Sequence, residues 1–428
     1  MELAQYQLTT LPNGLRVGTA CLPGRQSAAA GIWCGAGSRH ETRTQSGVAH
    51  LVEHMVFKGT ARRSARKISL DIEGVGGELN AFTSEDHTCY HAVVPAHRLP
   101  DAADVLVDLY RNARFSARDC RREKQVILEE IQMYRENPSQ HVDDMLSAAL
   151  WPDHPLGKLI TGTPESLEAL QIEDLSAWTE AHHVGSNTVF AVASPWSHAE
   201  VLSCLRPWLE SLPTGKPPVM QPYRRLARPA RVLSDTRDIE QTHVALGFRT
   251  PGRHHSGRFA LRLLSVILGE TMGSRLFQAL REKRGLCYSV NTETDVFAET
   301  GLLEIYTAVE SSRLEPAMRA LGKEVHKVLA QAPTGKELER AKEFTLGQQA
   351  IWFESTTNQM HWVAESLLGH GSIHSAEASR EKILGVTSAD LAAIAARIFQ
   401  PDRAAAAIIG PEEYPKSAPH PLMEWLGW

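Results

Sequence analysis

The chain alternates short apolar or alternating runs with longer stretches of helical period. In its first half GLRVGTACLP from Gly14, SAAAGIWCGAG from Ser27, DHTCYHAVVP from Asp86 and TVFAVAS from Thr188 have the pattern of strands. In its second half THVALGFRT from Thr242, LCYSVNTETDVF from Leu286, GLLEIYTAVE from Gly301 and AAAAIIG from Ala404 do the same. Amphipathic stretches long enough for helices lie between them. Helices packed over one face of a mixed, largely antiparallel sheet is the architecture this order predicts, an α+β class.

One segment interrupts the pattern. LPTGKPPVMQPYRRLARPARV, residues 212–232, holds five prolines, which block helix and weaken sheet pairing. It divides the chain into an N-terminal domain over 1–211 and a C-terminal domain over 233–428. The halves read as copies of one α/β unit. LEALQIEDLSAWTEAHHVGSNTVFAVAS from Leu167 and ILGVTSADLAAIAARIFQPDRAAAAIIGP from Ile383 both run from a turn into a helix and then a strand. Asp174-Leu175 and Asp390-Leu391 hold matching places, 216 residues apart, each behind a helix-capping position. An internal duplication is expected.

Composition narrows the function. Of 428 residues 43% are apolar and 22% charged, and 45 Lys+Arg stand against 50 Asp+Glu, a net of -5. That is a globular profile without the basic excess of a nucleic-acid binder. Six scattered cysteines include no C-x-x-C pair, which argues against a disulfide framework and a thiolate zinc site. With no signal-like N-terminus and no apolar run of spanning length, a cytoplasmic, soluble protein is expected. The 19 histidines direct attention to metal chemistry.

The informative segment is GVAHLVEHMVFKGT. His50, Glu53 and His54 read H-x-x-E-H inside an apolar-periodic stretch free of proline. On a helix, positions four apart lie about 40° apart around the axis, so His50 and His54 present imidazoles side by side. Glu53 flanks that pair without being forced to ligate, the place for a general base; H-x-x-E-H is also a described metallopeptidase signature. A third donor must come from elsewhere. In CRREKQVILEEIQMYREN from Cys120, residues Glu123, Ile127, Glu130 and Tyr134 share one helical face, and Glu129 points about 100° away. Spacing alone leaves Glu130 either a ligand or a surface carboxylate. The segment 216 residues beyond the H-x-x-E-H helix reads LRLLSVILGE, so the second copy cannot build the same site. The pairs His182-His183 and His254-His255 read as solvated or capping residues, and FKGTARRSARK as a solvated helix start.

These segments resemble the pitrilysin/insulinase family of zinc metallopeptidases, in the short-chain branch that includes the mitochondrial processing peptidase. The likeness is carried by HLVEHMVFKGT, GGELNAFTSEDHTCY, REKQVILEEI, HPLGKLITGT and, in the second half, GSRLFQALREKRGLCYSV. It implies one Zn²⁺ per chain held by His50, His54 and Glu130, with Glu53 as base on zinc-bound water and Glu123 as supporting acid. It implies hydrolysis of peptides or unfolded segments bound as an added strand on Asn80, Ala81 and Phe82. It gives Arg281 and Tyr288 the role of holding the substrate carbonyl. Because long relatives join four such units, this two-unit chain is expected to form a homodimer in which Arg281 and Tyr288 act in trans, with a heterodimer as the variant arrangement. A non-catalytic scaffold subunit, or a maturation peptidase for one precursor, are the other roles the family offers.

Overall fold

The computed structural model describes residues 4–220, 222–223, 231–414 and 420–427, so the heart of the Pro-rich linker and Trp428 lie outside the described residues. The chain forms two compact units. The first holds a six-stranded sheet: β1 (Gln5–Thr10), β2 (Arg16–Cys21), β3 (Ser27–Cys34), β4 (Glu78–Thr83), β5 (Thr88–Pro95) and β6 (Thr188–Ser194), in the order β1-β2-β6-β3-β5-β4. The second holds β7 (Arg231–Thr236), β8 (Gln241–Pro251), β9 (Cys287–Val296), β10 (Thr300–Glu310) and β11 (Ala404–Gly410), in the order β7-β11-β8-β10-β9.

The two topologies match strand for strand once β1 is set aside. Each sheet has one parallel pair, β2 with β6 and β7 with β11, and every other pairing is antiparallel. The repeated helix starts hold as well. Gln171 N–H donates to Asp174 Oδ2 (2.8 Å) and Thr387 N–H to Asp390 Oδ2 (2.9 Å). Each bond satisfies a main-chain donor in front of its helix and fixes where that helix begins.

A layer of helices packs on one face of each sheet, as the pattern predicts. One further helix covers the opposite face. In the first unit it is Thr356–His370, whose Met360, Val363, Ala364 and Leu367 pack on Trp33, Val189 and Ala191. In the second it is Pro138–Leu150, whose Val142, Leu146 and Leu150 pack on Ala245, Leu302 and Ala407. Glycines make room for them. A Cβ at Gly18 would collide with Val363, and one at Gly247 would lie 2.9 Å from methyl groups of Leu146 and Leu150. Burial from both sides explains why TVFAVAS and AAAAIIG, the strands β6 and β11, read as continuous small apolar runs and are buried at all seven positions.

The domain boundaries expected from the linker therefore need correcting. The first unit comprises 1–132, 158–221 and 350–376, and the second 133–157, 222–349 and 377–428. Each contiguous half gives one helix to the other half's unit. The linker marks where the repeat begins anew, but a single apolar helix face does not disclose which of two similar sheets it covers. Of the C-terminal PLMEWLGW, the described residues pack on their own unit, with Leu422, Met423 and Leu426 buried in the second core and Trp425 against it. No helix among the described residues is long and apolar enough to cross a membrane.

Candidate metal centre

The site in the first unit is built on two helices, α1 (Val48–Val56) and α2 (Ala117–Glu136). Gly47 opens α1 at φ +91°, where a Cβ would also strike the Thr161 carbonyl. The Glu41 carboxylate then accepts from the N–H groups of Gly47 (2.8 Å) and Ala49 (3.0 Å), closing the helix start. Burial pushes Glu41 up to about 8 against the pull of those two bonds. With Val48, Leu51, Val52, Met55 and Val56 in the core, α1 has no freedom to rotate. Its remaining face carries His50, Glu53 and His54.

The two imidazoles lie 4.7 Å apart between ring centres. His50 Nε2 is 3.8 Å and His54 Nε2 3.7 Å from the same Glu130 oxygen, Oε2. One donor atom from each of the three residues falls within 4.8 Å of the others, and this is the one such His/Cys/Asp/Glu group among the described residues. These separations exceed hydrogen-bond length. A tetrahedral zinc with bonds of about 2.0–2.1 Å sets its donors roughly 3.4 Å apart, so the two imidazole–carboxylate separations exceed that spacing by a few tenths of an ångström and the trio, within 4.8 Å, draws together to hold the ion. Glu129, one position away, is exposed, as the helical period predicts.

The surroundings prepare these donors. Glu123, buried on α2, places Oε2 3.3 Å from His54 Nδ1, and its Oε1 pairs with Lys58 Nζ at 2.7 Å. A proton on Nδ1 shared with that carboxylate leaves the Nε2 lone pair facing Glu130. Burial, with His54 beside it, holds His50 down to about 4, so its ring is neutral at neutral pH. The His50 Nδ1 is buried and meets no partner among the described residues.

Glu53 stands beside the trio. Its Oε2 accepts a hydrogen bond from Thr83 Oγ1 at 2.7 Å. Burial raises its pKa, with Glu130 adding to the rise and Thr83 and His54 opposing it. Thr83 ends β4, the edge strand that also carries Asn80, Ala81 and Phe82 and pairs only with β5. Asn80 Oδ1 accepts from the Ala81 N–H (2.8 Å), and the Phe82 ring packs near His87 and His361. Sequence reasoning missed Thr83 and Lys58. A Thr at the end of an alternating strand and a Lys four residues past a His carry no signal until the fold brings them to their carboxylates.

Arg281 and Tyr288 belong to the second unit. The Arg281 guanidinium lies 4.8 Å from the Phe277 ring centre and 5.0 Å from that of Tyr288, so spacing seven brings the pair into contact. Tyr288 is the second residue of the edge strand β9 and is 76% exposed. The segment 216 residues beyond the H-x-x-E-H motif is Val266–Glu270, with Val266, Gly269 and Glu270 in place of the two histidines and Glu53. Two expectations are met only in part. His183 caps the end of the helix Ile172–His182, one of the two roles expected, but both histidines are buried rather than solvated, with His183 stacked on Tyr110 at 4.0 Å. The basic run is an exposed helix start as expected, with Ser64 capping the helix Ala65–Ile72 and Arg62, Arg66 and Lys67 open to solvent, but Arg63 within it pairs with Asp71, Asp104 and Asp108, two of them on a neighbouring helix that local patterning does not reveal.

Residues 16–164 match the family model described as insulinase, peptidase family M16, and residues 169–344 match that of the peptidase M16 inactive domain. A Mycobacterium tuberculosis protein named an uncharacterized zinc protease is 38% identical over 422 residues, covering 98% of this chain and 96% of its own. The chain belongs to the insulinase family, M16. A second M16 relative, named an uncharacterized zinc protease of Streptomyces coelicolor, is 36% identical over 94% of this chain and 89% of its own. The M16 fold is shared with the crystal structure of a protease from Helicobacter pylori, at a TM-score of 0.89 and 21% identity, covering 96% of this chain and all of that one. A Pseudomonas fluorescens structure described as a peptidase M16 inactive domain aligns at 0.88 and 20% identity, over 96% and 98% of the two chains.

Proposed function

We propose that this chain is a zinc-dependent endopeptidase for peptides and unfolded segments, holding one Zn²⁺ on His50, His54 and Glu130 with Glu53 as general base. The observation that carries this reading is the convergence of two imidazole Nε2 atoms on one Glu130 oxygen, beside a carboxylate tethered to a sheet edge. Bound zinc supplies Lewis acidity, polarising a carbonyl and bringing the ionisation of water toward neutral pH.

The chain's own residues do the rest. Glu53 takes the proton of the attacking water and hands it to the leaving amine, using the carboxylate oxygen that Thr83 leaves uncommitted. Glu123 fixes the His54 tautomer, and Lys58 balances its charge. The edge of β4 offers main-chain groups to an extended peptide, giving affinity largely independent of side chains. Arg281 and Tyr288 of a second copy hold the substrate carbonyl and its developing charge.

Thr83 acts through Glu53, as a positioning residue. Thr83→Val is expected to lower kcat about ten-fold, matching one hydrogen bond to a charged group, while zinc content and KM stay near wild type. Steady-state kinetics alongside metal analysis checks this, and an unchanged kcat speaks against the tether.

The reading as a whole is tested with a pool of quenched-fluorescent unstructured peptides. Turnover is expected that a chelator abolishes and zinc restores. In the same assay, mixtures of Glu53→Gln and Tyr288→Phe chains regain activity that neither has alone. Turnover indifferent to chelation overturns the zinc mechanism; mixtures that stay inactive overturn the in-trans assembly.

A further inference from the structure

A second charged site lies wholly within the second unit, at the end of its sheet where β8 runs out into the PGRHHSGR loop. A cavity of about 460 Å³ is lined there by Arg249, Arg397 and Arg403, with His254 and His255 from the loop, and by a single carboxylate, Glu299. Glu299 is already engaged, its Oε1 accepting from the Tyr223 N–H at 2.6 Å.

Arg249 is only 7% exposed. Its Nη1 donates to the Leu150 carbonyl (2.9 Å) and its Nη2 to the Asp402 carbonyl, while its buried Nε meets no acceptor among the described residues. A buried guanidinium whose hydrogen bonds among the described residues go only to carbonyls is an incompletely compensated charge, and such a charge is costly unless an anion joins it. Arg403 adds a second guanidinium, placed by its Nη1 bond to the Arg249 carbonyl at 3.2 Å. Arg397 projects from the helix Ser388–Ile398, exposed and without an ion pair among the described residues. The positive field reaches His255, whose pKa is lowered first by burial and then by Arg397. His255 is also fixed in place, since its Nδ1 accepts from the Gly257 N–H at 3.0 Å.

We propose that this cavity binds a phosphate dianion, free or as the head of a small phosphate monoester. Three guanidiniums and one carboxylate line the cavity, and phosphate carries about -1.5 to -2 at neutral pH. Guanidinium forks match phosphate oxygens in pairs. The volume exceeds what a bare phosphate fills, so a short organic body has room behind the head group.

Isothermal titration of the zinc-loaded full chain in chloride buffer tests this, with inorganic phosphate, glycerol 3-phosphate and succinate as probes. Saturable binding of at least one phosphate compound is expected, weakened about ten-fold or more by Arg397→Gln. That substitution removes an exposed side chain without a structural partner, so the fold and peptide turnover persist; Arg403→Gln serves as a second, independent variant. Tighter binding of glycerol 3-phosphate assigns the monoester, and tighter binding of inorganic phosphate assigns the free ion. No saturable binding, affinity that neither variant changes, or succinate binding as tightly as phosphate each overturns the proposal.

Discussion

Glu53→Gln is expected to cut peptide turnover by about 10²–10⁴-fold, the usual contribution of a positioned general base, while leaving zinc content unchanged. The change is close to isosteric. Glutamine keeps an oxygen for the Thr83 hydroxyl at the 2.7 Å position and fills the same partly buried volume. It cannot accept the proton of an attacking water. Glu53 is also absent from the group of donors that converge, so metal binding does not depend on its charge. Single-turnover cleavage read beside zinc analysis separates the two effects. A variant within a few-fold of wild type would mean that another group moves the proton, and one that loses zinc would make Glu53 a ligand.

The second large effect distinguishes neighbours in sequence. Glu130→Gln is expected to weaken zinc binding by at least about 100-fold, more than loss of an outer partner of a ligand costs, whereas Glu129→Gln leaves it within about two- to three-fold. The two carboxylates are one residue apart on α2 but about 100° apart around its axis. Glu130 lies against both Nε2 atoms at 3.7–3.8 Å, and Glu129 faces water. Competition with a chromogenic chelator reads the affinities. Zinc also stabilises the folded chain by mass action, so the rise in Tm on adding zinc should vanish in Glu130→Gln alone. Equal losses in the two variants would mean that the change acts through helix stability instead.

The parts of this site that were legible in the sequence share a physical basis: they are set by period within one helix. The 3.6-residue repeat puts His50 beside His54, and the same repeat separates Glu130 from Glu129. The central strands were legible because burial on both faces demands the apolar runs of β6 and β11. The edge strands β1 and β7 escaped notice, since QYQLTT and RVLSDT are short, mostly polar and not buried at any position. What the sequence withheld is contact across long separations. The exchange of helices Pro138–Leu150 and Thr356–His370 is one case, and the Thr83–Glu53 and Lys58–Glu123 pairs are others. The burial of His183 under Tyr110 belongs with them, because a polar pair at a helix end looks the same whether it meets water or a ring.

X-ray absorption at the zinc edge, measured on the loaded full chain, addresses the central claim most directly. Two imidazole nitrogens and carboxylate oxygen in the ion's first sphere, with no sulfur, is the result predicted for His50, His54 and Glu130. A sulfur scatterer, or a zinc without imidazole scattering, would contradict it.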